Sequence, residues 1–200
     1  NIFDITREDR RKVERMQKKK ILAIVGSLRE GSYNKQLALL VRELIGERAE
    51  LEILDYQDVP FFNEDIETPV PDGVARVRAS VESADGIWFF DPEYDHFFPG
   101  VLKNLLDWLS RAVPGKDPLL SKKPATVSGA TIGMSGTLGS RNHLITLLNI
   151  LDMQVMNRPR VAIPHIKDQL DENGKLRSTE IKDLLEKQVE AFLAFLGSER

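Results

Sequence analysis

Short apolar runs alternate with segments of helical periodicity along this 200-residue chain, and that alternation dictates a parallel sheet covered on both faces. Residues 21–25, Ile-Leu-Ala-Ile-Val, are apolar without a break. A strand with one wet face would alternate polar and apolar, so this one is predicted to be buried on both sides. Residues 35–45 then place Leu37, Leu40, Val41, Leu44 and Ile45 at helical spacing, with Gly46 as a stop. The pattern recurs. Strands are predicted at 51–54, at 86–90, within 124–134 and, in broken form, at 155–163. Helices are predicted at 72–84, at 99–110 with Pro99 at the start, at 142–151 and at 181–196, the last ended by Gly197. Residues 55–71 are irregular and punctuated by Pro60, Pro69 and Pro71. The expected fold is α/β, a three-layer sandwich with a five-stranded parallel sheet and helices on both faces.

Charge and composition narrow the function classes. A net charge of -3 and a pI near 5.7 give no electrostatic reason for nucleic-acid binding. Zero cysteines exclude disulfides, thiolate metal sites and thiol chemistry, as expected in a reducing cytoplasm. No run reaches the apolar length of a membrane span, and the N-terminus lacks a signal peptide's apolar core. Residues 1–20 are charged, with Thr6 as an N-cap, Asp9 three residues on, and only Val13 and Met16 as a narrow apolar stripe. Glu8, Asp9 and Glu14 interleave the basic residues, so a solvated helical extension is expected there, ahead of one domain over 21–200.

In such a sheet, ligands lie outside the carboxyl ends of the strands. The loops following predicted strands 1, 3 and 4, residues 26–34, 91–98 and 135–141, should therefore share one rim. The first reads Gly26-Ser-Leu-Arg-Glu-Gly-Ser-Tyr-Asn34 and leads into a helix, an arrangement that converges backbone N–H groups on an anion. It is not a nucleoside-triphosphate loop, because Ser32 stands at the lysine position and Lys35 lies too far along. Nor is it a dinucleotide fingerprint, because position 28 is leucine. Ser27 and Ser32 offer hydroxyls, Arg29 a fork of charge-assisted donors and Asn34 an amide, a set suited to a phosphate monoester. Taken alone, the same residues also make a polar turn with Asn34 as the helix cap.

Gly26-Ser-Leu-Arg-x-x-Ser-x-Asn34 resembles the phosphate loop of the NADPH-dependent FMN reductase family, whose fold is flavodoxin-like and which includes bacterial quinone/chromate reductases and azoreductases. A second family signature, Pro-Glu-Tyr-Asn-x-Ser-x-Pro-Gly-x-Leu-Lys-Asn-Ala-x-Asp-Trp, is largely matched by Pro92-Glu-Tyr-Asp-His-Phe-Phe-Pro-Gly-Val-Leu-Lys-Asn-Leu-Leu-Asp-Trp108. Ser135-Gly-Thr-Leu-Gly-Ser-Arg141 is similar to a Gly-Gly-Ala-Arg-like loop of the family, and 151–157 continues the likeness. The resemblance implies that Ser27, Arg29, Ser32 and Asn34 hold the FMN phosphate, with Leu28 and Tyr33 also binding the cofactor. It places Pro92, Glu93, Tyr94 and Asp95 beside the isoalloxazine, largely through backbone amides, and Ser135, Gly136 and Thr137 along its other edge. His96 and Phe97 would line the substrate side.

Three positions depart from the second signature: Leu105 for alanine, Asp95 for asparagine and Phe97 for serine. An ionised Asp95 offers acceptors only and would repel a reduced, anionic flavin. Phe97 either covers the flavin or packs with Phe98 at a subunit interface. Asp91, Glu93 and Asp95 cluster, but without a histidine set that would make a metal site, and His96, His143 and His165 are scattered. No Gly-x-Ser-x-Gly elbow is present. The resemblance also implies that the helix carrying Lys103, Asp107 and Trp108 contributes to a homodimer or homotetramer. The expected activity is hydride transfer from NADPH or NADH to bound FMN and onward to a quinone, azo compound, metal oxyanion or free flavin, with the chemistry on the cofactor. The rival class is a non-enzymatic flavodoxin-like carrier or interaction module with weakened flavin binding. A third option is a reductase that supplies reduced flavin to a partner monooxygenase.

Overall fold

A computed structural model describes residues 18–172 and 175–198. Five parallel strands, β1 (Lys19–Val25), β2 (Ala49–Ile53), β3 (Gly86–Phe90), β4 (Pro124–Ala130) and β5 (Gln154–Ile163), form one sheet in the order β2-β1-β3-β4-β5. Between and after them run α1 (Tyr33–Ile45), α2 (Asp72–Ser83), α3 (Gly100–Ser110), α4 (Leu138–Ile150), the single turn α5 (Ile166–Gln169) and α6 (Thr179–Gly197).

The continuous apolar runs are explained by two cores, one on each side of the sheet. Ile21, Ala23, Val25, Trp88 and Phe90 point to α1 and α6, where Leu37, Val41, Ile45, Leu185, Val189 and Phe192 cover them. Leu22, Ile24, Ile87 and Phe89 point the other way, to Val77 and Val81 of α2, Leu102, Leu105, Leu106 and Leu109 of α3, and Leu144 and Leu148 of α4. Leu105 is fully buried, so its extra bulk over alanine is taken up in packing.

A polar chain crosses the first core. Trp88 Nε1–H donates to Ser128 Oγ (2.8 Å), which donates to Gln188 Oε1 (2.7 Å). Gln188 Nε2 donates to Thr126 Oγ1 (3.1 Å) and the Val127 carbonyl (3.3 Å), and Thr126 Oγ1 donates to the Met156 carbonyl (3.2 Å). Every proton in this chain has an acceptor, so α6 is fastened to the middle of the sheet.

Several boundaries differ from those read in the sequence, each for an identifiable reason. β1 begins at Lys19, whose ammonium and whose successor's N–H both engage Asp85. α1 is capped by Ser32, whose Oγ accepts from the Lys35 N–H (3.3 Å), and Asn34 lies inside the helix. α4 starts at Leu138, so residues 138–141 are its first turn rather than loop. Gly197 falls within α6, and Ser198 is the cap. β5 is one strand with an irregularity: Thr126 faces Met156 and Ser128 faces Val161, leaving 157–160 to bulge past Val127. The helical extension expected over 1–20 lies outside the described residues, apart from Lys18 and the two lysines that open β1.

Candidate functional site

The loops at the carboxyl ends of β1, β3 and β4 meet on one rim and are locked together by backbone contacts. The Gly26 N–H donates to the Phe90 carbonyl (2.9 Å) and the Asp91 N–H to the Ser128 carbonyl (2.8 Å). A Cβ on Gly26 would lie 2.9 Å from Pro92 Cδ, so glycine is required where the first two loops touch.

The first loop presents donors outward. Ser32 caps α1, the first turn of α1 carries no acidic residue, and the N–H groups of Tyr33 and Asn34 have no acceptor among the described residues. The helix pole therefore stays positive and open. Arg29 and Leu28 are exposed, and the guanidinium lies 5.4 Å from the Tyr33 ring centroid. Ser27 Oγ accepts from the Arg29 N–H (3.4 Å), which shapes the turn.

Asn34 has a role that its place in the motif does not reveal. Its Nδ2 donates to the Ala130 carbonyl and its Oδ1 accepts from the Ala130 N–H, both at 2.9 Å. The side chain is buried and stitches the first loop to the end of β4. The Asn34 side-chain amide is thus committed to the sheet, and only its backbone N–H stays open at the helix start. Its function as a stitch has no local sequence signal, because the partner lies 96 residues away.

The second loop is a tight reversal. Tyr94 and Phe97 exchange both backbone hydrogen bonds (Tyr94 N–H to Phe97 O, 3.1 Å; Phe97 N–H to Tyr94 O, 2.9 Å), with Asp95 (φ 50°) and His96 (φ 60°) at left-handed corners. Asparagine and aspartate both tolerate that conformation. The asparagine-to-aspartate change thus falls at an exposed turn position that accepts either residue. This turn also engages the Tyr94 N–H, and Pro92 has none, so Glu93 carries the only open backbone donor of the three. Tyr94 is 54% exposed. Phe97, 45% exposed, leans on Phe98 (4.4 Å between centroids) and on His143 of α4 (4.5 Å).

The Glu93 side chain turns inward and joins the second loop to the third. Its carboxylate accepts from Ser135 Oγ (2.6 Å) and from the Ser140 N–H (3.0 Å) at the start of α4. Burial pushes this carboxyl up, but Ser135, the N–H groups of Ser140 and Gly139, and His96 outweigh it and hold it below the usual range. This cap, delivered from a distant loop, is why α4 starts before its own sequence announces a helix.

In the third loop Gly136 (φ 58°) passes so close to β5 that a Cβ would sit 2.8 Å from the Ala162 carbonyl. Thr137 (φ 66°) is fully buried, with its Oγ1 against Gly129 and without a hydrogen-bond partner. The Gly136 backbone therefore packs against β5, and the Thr137 side chain faces the scaffold. Ile132, Met134 and Leu138 are the exposed apolar groups of this loop, Met134 at 82%. The motif did not single them out, although a run of exposed apolar residues within a polar loop is the signal that finds them.

Beneath the rim lies Asp91, fully buried. Ser140 Oγ sits 2.5 Å from Asp91 Oδ2 and 3.0 Å from the Pro92 carbonyl, and Asp91 Oδ1 has no partner. Burial, helped by the Glu93 charge and opposed by the Ser140 bond, raises its carboxyl to about 7. Burial and then Asp91 push the nearby Tyr56 phenol up, and its hydroxyl donates to the Val25 carbonyl (2.6 Å). Arg141, 1% exposed, donates through Nη2 to the Asn157 carbonyl (3.2 Å), and burial together with Arg160 pushes it down to about 10.

The helical half of the second signature is scaffold. Trp108 Nε1–H (2.8 Å) and Asn104 Nδ2 (2.9 Å) both donate to the Pro60 carbonyl, and Asn104 Oδ1 accepts from the Phe62 N–H (2.7 Å). Lys103 and Asp107 pair on the outer face. A cleft of about 240 Å³ opens between the first loop and the segment after β2, lined by Leu28, Arg29, Lys35, Asp55 and Gln57 among others. It lies on the β2 side of β1, whereas the strand order reverses on the β3 side, where such sheets bind their ligands. Among the described residues no group of three or more acidic or histidine side chains could hold a metal ion, and no helix is long and apolar enough to cross a membrane.

Known proteins agree with this arrangement. The family model for NADPH-dependent FMN reductase matches residues 19–168. An NAD(P)H-dependent FMN reductase of Pseudomonas aeruginosa is 36% identical over 173 residues, covering 86% of this chain and 92% of the relative. A 2-hydroxy-1,4-benzoquinone reductase of a Burkholderia species is 32% identical over 181 residues, covering 90% and 98%. Among solved structures, the flavoenzyme NAD(P)H:(acceptor) oxidoreductase FerB of Paracoccus denitrificans superposes with a TM-score of 0.82 at 28% identity, covering 90% of this chain and 97% of that one. With a flavodoxin-like sheet, the phosphate-loop motif and relatives matched over nearly their full length, this chain belongs to the NADPH-dependent FMN reductase family, an FMN-dependent NAD(P)H oxidoreductase class.

Proposed function

We propose that this enzyme passes electrons from NADPH or NADH to a small quinone, with FMN seated on the rim formed by the three loops. The observation that carries the reading is the open, positive N-terminus of α1, with Arg29 and Ser27 beside it and no acid in the first turn. Those donors fit a phosphate monoester. The Glu93 N–H is an open donor to the ring from the second loop, and Ser135, Ile132, Met134 and Leu138 border the other side. FMN, when bound, supplies the hydride acceptor and electron donor, so the protein's part is to hold, orient and shield. Phe97 forms a wall of the substrate side, backed by His143, with His96 at its edge.

The quinone class is favoured because a benzoquinone reductase and several quinone reductases, including one of Escherichia coli that is 31% identical over 184 residues, are among its relatives. The exposed apolar side chains Ile132, Met134, Leu138 and Ile150 support a homodimer or homotetramer. The absence of cysteine supports a reducing compartment such as the cytoplasm. The charged residues 1–20 are taken as an extension ahead of one FMN-binding domain over 21–200.

The test is reconstitution. Protein mixed with FMN turns yellow, bleaches on adding NADPH or NADH without air, and recovers its colour when benzoquinone is added, faster than with an azo dye or chromate. Replacing Arg29 with alanine weakens FMN binding by about tenfold to a hundredfold, as expected for loss of a charge-assisted pair. Protein that neither takes up FMN nor oxidises NADPH in its presence would overturn the reading.

A further inference from the structure

Ser140 Oγ has one proton and two acceptors facing it, Asp91 Oδ2 at 2.5 Å and the Pro92 carbonyl at 3.0 Å. With Asp91 ionised, the hydroxyl serves one acceptor and abandons the other, and a buried carboxylate keeps an oxygen, Oδ1, with no donor at all. With Asp91 protonated, its Oδ2–H donates to Ser140 Oγ, the Ser140 hydroxyl donates to Pro92, and each proton has an acceptor. The surroundings favour the same state. The charge that acts on Asp91 is Glu93, of like sign from its own loop; Tyr56, from the segment after β2, faces it as a neutral phenol. No other charge among the described residues shifts it: Ser140 meets the carboxyl, Gly26 lies beside Oδ1, and Gly129, with the Thr137 hydroxyl against it, lies by the Asp91 backbone carbonyl.

We propose that Asp91 is a positioning residue that holds a proton in the resting fold and, through Ser140 and the Pro92 carbonyl, sets how strongly the Glu93 N–H binds FMN. The link is the Pro92–Glu93 peptide. A carbonyl that accepts a hydrogen bond polarises its peptide and makes the following N–H a better donor. Loss of the Asp91 proton turns the Ser140 hydroxyl to the carboxylate, releases the Pro92 carbonyl and places a negative charge under the ring. Both effects weaken flavin binding and disfavour the reduced, more negative flavin. The inference rests on FMN lying at this rim.

The experiment uses the full chain, before and after loading with FMN, alongside Asp91→Asn and Ser140→Ala. Asparagine reproduces the protonated acid, since its Nδ2 donates to Ser140 without titrating. On the unloaded chain, infrared spectra between pH 5.5 and 8.5 should contain a carboxylic acid carbonyl band that fades as the pH rises through about 7 and is missing in Asp91→Asn. On the loaded chain, the FMN dissociation constant should rise about threefold to tenfold from pH 6 to pH 8 in the wild type beyond the change shared by all three proteins, the worth of one hydrogen bond. The shared part includes titration of the FMN phosphate itself, whose second pKa is about 6. Asp91→Asn should lack the extra rise and keep the tighter binding, and Ser140→Ala should lack it while its infrared band persists. A missing band, or an extra rise that survives in either variant, overturns the proposal. Failure of FMN to bind at all would overturn the rim assignment, while the infrared titration would still report on Asp91.

Discussion

Two clusters of buried polar groups lie within this sheet, and they are built to opposite standards. Under α6, the chain Trp88–Ser128–Gln188–Thr126–Met156 gives every proton an acceptor, and nothing titratable takes part. At the carboxyl rim, Asp91, Thr137 and Arg141 are just as buried, yet Asp91 Oδ1, Thr137 Oγ1 and Arg141 Nε have no partner. The first cluster is what a sheet needs to keep a helix in one register. The second carries the cost of unpaired polar atoms at the place where the loops meet, which is where a functional site concentrates such cost. The same polypeptide thus contains one cluster with every proton paired and one with open atoms at the rim proposed to hold the cofactor.

The contrast is sharpest in its dependence on pH. The Asp91 carboxyl is raised in the folded chain to about 7, so the stability it allows is complete below its ordinary range and is lost as the pH climbs to that value. The wild type should lose roughly 1.4 kcal/mol per pH unit from this group between about pH 4 and 7, on the order of 4 kcal/mol in all. Asp91→Asn should lack that loss, so that urea melts at pH 8 find the variant more stable than the wild type. The paired cluster should behave otherwise. Gln188→Leu strands Ser128, Thr126 and the Val127 carbonyl and should cost about 2–3 kcal/mol, equally at pH 5 and pH 8. Equal pH slopes in the two variants would erase the distinction between the clusters.

Smaller effects refine it. Glu93→Gln removes a charged cap from α4 and should cost about 1 kcal/mol at pH 7. Because the Glu93 carboxyl is held low, that difference is present above its ordinary range and disappears as acid titrates it, the reverse of Asp91. Arg29→Ala, at an exposed position, should leave the free energy of unfolding within about 0.5 kcal/mol of the wild type, while flavin affinity falls.

The layers of this fold were legible because uninterrupted apolar runs such as 86–90 have one physical reading, a strand covered twice, and the structure bears that out. What stayed hidden was whatever depends on a partner far along the chain. The early start of α4 comes from Glu93, the burial of Asn34 from Ala130, and the purpose of Asn104 and Trp108 from the Pro60 carbonyl. The motifs point Asn34 and Glu93 at a ligand and the helix of Trp108 at a subunit, and give Asn104 no role of its own, because a motif records which residues matter and not which way they point. The family membership established by the relatives places the chain among reductases rather than non-enzymatic carriers. Asp95 and His96 sit at an exposed left-handed turn, a conformation that asparagine and aspartate both adopt.

The Asn34–Ala130 stitch has a kinetic consequence. It closes a loop of 96 residues, so the anion cradle acquires its final shape only after the first and fourth strands have joined the same sheet. With the cofactor at the proposed rim, backbone assembly is expected to precede its binding during folding. A nascent chain still lacking its fourth strand would present the whole Gly26–Asn34 motif yet have no rigid cradle to offer, and flavin would act as a late lock on a formed sheet rather than as a template for it.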